Sequence, residues 1–228
     1  MLNANKVEAP TGVTQEPLDD GSYPSLFYAV IDLGVQKRDP YQGKEKLPCR
    51  MIMLTYALLD EFNKDEDGNE TEDHRLRSEK MGFFNLSSDQ ATSTKRYKVL
   101  DPKIEHEGRF EDCLGTYVSV SIQKKLNESK GTHYNKVTGV TPMRQKDIDR
   151  LPANELKPFF FDLDAPKEES WNRLFEWQQN IILGGLNLDE DIKAKLETWQ
   201  QAAKDAIQDS SDEGSTDAVA STDVESPY

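Results

Sequence analysis

Apolar and polar residues alternate along only parts of this chain, and where they do, the period is that of β-strands. Leu26 to Leu33 places Phe27, Ala29, Ile31 and Leu33 on one face, with Tyr28 and Asp32 on the other. Gly34 follows at a point where a long strand can bend. Arg50 to Leu59 is apolar nearly throughout, so its inward face is not selected by periodicity. Lys80 to Leu86, with Phe83 and Phe84, is a third strand candidate. Tyr117 to Gln123 alternates cleanly, with Val118, Val120 and Ile122 inward and Ser119 and Ser121 outward. Tyr134 to Thr141 completes the set, and Gly139 suggests a bulge.

No alternation spans Ser88 to Leu114, which is expected to be helical or irregular. The order is therefore three strands, a non-strand insert, then two strands. That is the order of an OB-type five-stranded Greek-key barrel; a five-stranded meander and an SH3-like barrel fit the same pattern. Beyond Pro142 the period becomes helical. Trp171, Leu174, Phe175, Ile181 and Ile182 predict one helix, stopped at Gly184-Gly185. Asp189 is placed to cap a second helix carrying Ile192, Leu196, Trp199, Ala203 and Ile207 on one face. Asp164 is placed to cap the helix leading to Trp171, and the tryptophans are expected to pack against neighbouring elements. The fold expected is mainly β with C-terminal helices. A flexible arm spans residues 1–20, the barrel 21–145, a helical extension 146–208 and a disordered acidic tail 209–228, whose polar, cation-free composition cannot bury a core.

Composition narrows the class. No run of 18 apolar residues exists and the first twenty residues lack an apolar signal segment, so the expectation is a cytoplasmic protein without a membrane anchor. Two cysteines, Cys49 and Cys113, are too few for a disulfide framework or a zinc site and are expected to be free, buried or half-buried thiols. No phosphate loop, nucleophile elbow or HExxH motif is present. Asn63 to His74 carries Asp65, Asp67 and Gly68 at calcium-loop spacing, but Asn63 and His74 stand where an Asp and a bidentate Glu are needed; a solvated hairpin tip is expected instead. Asp162 and Asp164 could hold Mg²⁺ in a nuclease, yet 42 acids make such pairs common by chance. A binding protein is expected, neither an enzyme nor a holder of a cofactor or metal.

The net charge of −14 argues against a phosphate-rich partner until its distribution is considered. Residues 1–150 carry −3 and residues 151–228 carry −11. Three stretches are basic: Lys37, Arg38, Lys44, Lys46 and Arg50; Lys124, Lys125, Lys130 and Lys136; and Lys95-Arg96-Tyr97-Lys98. OB barrels bind oligonucleotides with the loops joining strands 1–2 and 4–5, where the first two stretches fall. Tyr41, Tyr97 and Tyr134 are interleaved with these cations, and a ring can stack on any base.

The stretches Asp32-Leu33-Gly34-Val35-Gln36, Tyr41-Gln42-Gly43-Lys44, Leu54-Thr55-Tyr56, Ser93 to Lys98 and Phe161-Asp162-Leu163-Asp164 resemble those of single-stranded DNA-binding proteins of tailed bacteriophages, over about Gly21 to Leu188. The resemblance implies an OB-fold, sequence-independent binding of single-stranded DNA, and work in phage replication and recombination inside the host cytoplasm. It further implies that the acidic tail recruits replication or recombination proteins, with Asp223, Glu225 and Tyr228 docking on them, although this tail ends in Tyr rather than Phe and lacks a Gly/Gln-rich linker. The competing reading is an acidic interaction protein, a DNA mimic or assembly factor, that never touches DNA.

Overall fold

A computed structural model of the chain describes residues 15–212. Five long strands dominate: β1 (Gly21–Tyr41), β2 (Lys44–Lys64), β3 (Glu70–Gly82), β4 (Tyr117–Asn127) and β5 (Thr132–Pro142). Helix α1 (Thr92–Leu100) and a 3₁₀ turn at Glu111–Cys113 occupy the interval between β3 and β4. The extension follows, comprising α2 (Gln145–Ile148), β6 (Phe159–Phe161), α3 (Glu168–Trp171), α4 (Glu176–Leu183) and α5 (Glu190–Asp212). None of the helices is long and apolar enough to cross a membrane among the described residues.

The strands lie in the order β3-β2-β1-β4-β5, all antiparallel, and β6 pairs parallel with β1 where β4 has left its edge. β3 and β5 approach across the open edge: Arg77 Nη2 donates to Asn135 Oδ1 at 2.9 Å. Asn135 also bonds both backbone groups of Leu18, whose side chain is buried in the same core. Residues 15–20, expected to belong to a flexible arm, are instead tied to the sheet, since Gln15 bonds Lys64, Arg75 donates to the Glu16 carbonyl and Leu18 is buried.

Two apolar cores share β1 and β2. One holds Phe27, Val30, Ile52, Leu54, Tyr56, Leu58, Val118, Val120 and Ile122, covered by Tyr97 and Leu100 of α1. The second holds Ile31, Leu33 and Met53 against Phe161, Trp171, Leu174, Ile182 and Leu196 of the extension. The single inward face expected for Phe27, Ala29, Ile31 and Leu33 is therefore wrong. The register shifts between Phe27 and Ala29, so Tyr28 is an extra residue and the strand changes parity. Ile31 and Leu33 then face the opposite core from Phe27. Gly34 has φ +69° within a second register shift, and a Cβ there would sit 2.7 Å from Leu163, so the bend requires glycine. The bulge expected near Gly139 is present opposite Ser121 and Ile122.

The third strand starts ten residues earlier than Lys80 and ends at Gly82, since Glu70–His74 completes a hairpin with β2. Its tip is the solvated turn anticipated, with Asp65 Oδ1 accepting from the amides of Asp67 and Asn69. The single helix expected through Trp171 and Ile182 is broken into α3 and α4, with Phe175 in extended conformation at the N-cap of α4. Asp189 caps α5 through the amides of Asp191 and Ile192, and Leu196 is buried while Ala203 is exposed. Helix α5 runs to Asp212, past the expected end at 208.

Candidate nucleic-acid interface

The expected loop Lys37–Arg50 is a β-ribbon instead. Gln42 and Gly43 both take positive φ, 52° and 74°, which makes a two-residue turn whose twist matches the strands, so pairing continues to Tyr41 and Lys44. Lys37, Lys44 and Lys46 are exposed along this arm and Arg38 is half-buried. Leu47 on the same arm is 85% exposed.

At the base of the arm, β1 and β2 meet the end of β3 and the segment before α1 around a cavity of about 420 Å³. Among the described residues, Lys37, Arg38, Lys46 and Lys80 line it against a single acid, Asp39, with Phe84 as the ring. Arg38 lies over that ring, its Cζ 5.3 Å from the centroid. Gly82 makes the arrangement possible. A Cβ there would fall 2.5 Å from Phe84 and 3.2 Å from the sulfur of Cys49, so only glycine lets the ring lie against the strand. Sequence reasoning missed Lys80 and Phe84 as site residues. It read both as members of one strand, whereas the strand stops between them.

The run Lys95–Lys98 behaves differently from expectation. Helix α1 buries Ser93, Thr94, Tyr97 and Leu100, one face at helical spacing. Tyr97 is fully buried, donates to Asp101 at 2.9 Å and accepts from the Gly108 amide at 2.8 Å, so it is no stacking platform. Burial pushes its hydroxyl up to about 12. Arg96 forms a two-pronged pair with Glu79, at 2.6 and 3.0 Å, and Glu79 also accepts from the Tyr56 hydroxyl. Lys98 pairs with Asp89 at 2.7 Å. Only Lys95 stays near the cavity, bonding the cavity-lining Gln90 at 3.3 Å. Acids brought in from other segments satisfy a run that is acid-free in sequence.

Arg50 is likewise structural. It bridges the buried carboxylate of Asp32 and that of Asp164, and these two hydrogen-bonded partners hold its guanidinium above its ordinary value despite partial burial. Asp164 therefore receives Arg50 rather than capping α3, whose N-cap is Lys167. Asp32, Asp162 and Asp164 bring three carboxylates within 4.8 Å, and Arg50 pairs with two of them, Asp32 and Asp164.

Lys124, Lys125, Lys130 and Lys136 are exposed on the β4–β5 hairpin, with Lys125 opposite a half-buried Tyr134. Gly21 of β1 pairs with Ile122, so this hairpin lies beyond the N-terminal end of β1, whereas the basic arm is built from its C-terminal end. The two clusters do not converge on one cavity. Cys49 is half-buried and Cys113 buried, both free. The side chain of Tyr41, and Asp223, Glu225 and Tyr228, lie outside the described part of the structure. No protein-family model matches this chain, and no curated protein matches it.

Proposed function

We infer that this protein binds single-stranded DNA without strong sequence preference, through an OB-type Greek-key barrel, in the manner of tailed-phage single-strand binders. The observation that carries this reading is the cavity at the base of the β1–β2 arm. In a chain of net charge −14, four cations and one ring gather there against one acid among the described residues. Cations meet phosphates in a salt-dependent way, and a ring stacks on any base for about 1–3 kcal/mol. The strand order, the helix between β3 and β4, and the Arg77–Asn135 contact support the barrel reading. The arm supplies the strand 1–2 element with which such barrels grip oligonucleotides. The hairpin lysines Lys124, Lys125, Lys130 and Lys136 are not part of this cavity.

Anisotropy titrations with a labelled single strand, its duplex and the matching RNA, each at two salt concentrations, test the reading. Single-stranded DNA is expected to bind more tightly than duplex and to weaken as salt rises. Equal affinity for duplex, or no binding at low salt, refutes it and leaves the acidic interaction protein.

The same reading gives the acidic tail a role. Residues 213–228 carry four acids and no cation, and a tethered anion competes with phosphates for a basic cavity at high effective concentration. Removing residues 213–228 should strengthen DNA binding most at low salt. It should also abolish capture of replication or recombination proteins from infected cells. Superimposed low-salt binding curves would refute the competition, and an unchanged set of captured proteins would refute the recruitment.

A further inference from the structure

A second cavity, about 270 Å³, opens where the extension covers the sheet, and it is built unlike the basic one. Tyr28, Phe159 and Phe175 supply rings, and Arg173 lies over Phe159 with its Cζ 3.9 Å from the centroid while donating to the Tyr28 hydroxyl at 3.0 Å. Gln178, only 2% exposed, also lines it. Its carbonyl accepts from the Phe175 amide, but among the described residues its NH₂ finds only the thioether of Met53 at 3.3 Å, a weak acceptor. A buried amide donor without a strong acceptor, beside rings and a guanidinium, suits a planar heterocycle with acceptor atoms on its edge.

The two cavities lie on one strip of the sheet. Leu76, Ser78 and Lys80 pair with Ala57, Thr55 and Met53, so alternation puts all three on the same face of β3, and all are half-buried. Leu76 borders the ring-lined cavity and Lys80 the basic one. The intervening run is about 13 Å at strand spacing, and the hydroxyl pair Thr55–Ser78 lies along it. Arg77 and Glu79 point to the other side, where Glu79 meets Tyr56 and Arg96.

We propose that the ring-lined cavity is a nucleobase subsite. A strand whose phosphates lie in the basic cavity continues along the half-buried face of β3 that carries Leu76, Ser78 and Lys80, and lays one base against Phe175, with its edge toward Gln178 and Arg173. The inference rests on the DNA-binding reading above. It makes the C-terminal extension part of the binding surface.

Ultraviolet cross-linking of oligothymidylate to the wild-type protein, followed by mapping of the modified peptides, is the direct test; adducts are expected within residues 159–178. In parallel, Phe175→Ala and Arg173→Gln are titrated with oligonucleotides stepped across about 4–16 nucleotides, with thermal melts to verify folding. Loss of one stacked base should weaken long oligonucleotides about tenfold and leave the shortest unchanged. Adducts confined to other segments, or folded variants that bind every length like wild type, overturn the subsite while leaving the basic cavity standing. Wild-type protein that binds no oligonucleotide overturns the DNA-binding reading, and this inference with it.

Discussion

Replacing both Lys37 and Lys46 with alanine removes two of the four cations that line the basic cavity and touches neither core. If each cation meets one phosphate, the cavity contributes about −2.8 to the slope of log affinity against log salt, at roughly 0.7 per single-strand phosphate. The double variant should flatten the measured slope by about 1.4, whatever the rest of the surface adds. Between about 50 and 200 mM salt that difference amounts to roughly sevenfold. Wild type thus loses about seven times more affinity than the variant over this range. Anisotropy titrations at four salt concentrations give both slopes directly, and circular dichroism establishes that the variant is folded. Parallel slopes from two folded proteins would refute the assignment of phosphates to this cavity. A uniform loss at all salts would do so equally, because it would report packing rather than charge.

Other substitutions separate structure from binding. Tyr97→Phe removes a buried hydroxyl that serves Asp101 and the Gly108 amide; it should cost about 1–3 kcal/mol in urea unfolding and leave DNA affinity unchanged, whereas weakened binding without lost stability would restore Tyr97 as a stacking residue. Arg50→Ala leaves Asp32 without its guanidinium partner and should destabilise by about 2 kcal/mol, discounted for a half-exposed arginine; an unaltered salt slope is expected, and a flattened one would return Arg50 to the DNA surface. Burial, followed by the nearby charges of Asp101 and Asp112, pushes the Cys113 thiol up from 9.0 to about 11, so below pH 9 it holds about a hundredfold less thiolate than an ordinary cysteine. Iodoacetamide should label it only after denaturant is added, and rapid labelling of the native protein, read by mass spectrometry, would contradict that burial.

How much was legible in the sequence depends on how many faces each element buries. β4 keeps one face wet, and the alternation of Val118, Val120 and Ile122 with serines gave its inward side directly. β1 carries a different core on each face and a bulge at Tyr28, so its apolar run holds no single period to read. The insert between β3 and β4 was foreseen as non-strand, but the phase of α1 was not, and charge alone could not tell that Glu79 and Asp89 would reach Arg96 and Lys98. For the arm, the basic residues were found and the shape was missed, because Gln42-Gly43 is a weaker turn signal than Asn-Gly or Asp-Gly. Lys80 and Phe84 stayed hidden since a strand ending at Gly82 has no marker beyond the glycine itself.

The double-sided burial of β1 determines where this chain can be cut. A fragment ending after β5 would keep all five long strands of the sheet, yet it would uncover Ile31, Leu33 and Met53, now sealed by Phe161, Trp171 and Leu196. It would also lose β6, leaving an open strand edge beside that apolar face. Such a fragment should self-associate rather than behave as a minimal module. Sheet and extension should accordingly melt together in one calorimetric transition, and they would have to be exchanged between chains as a single cassette.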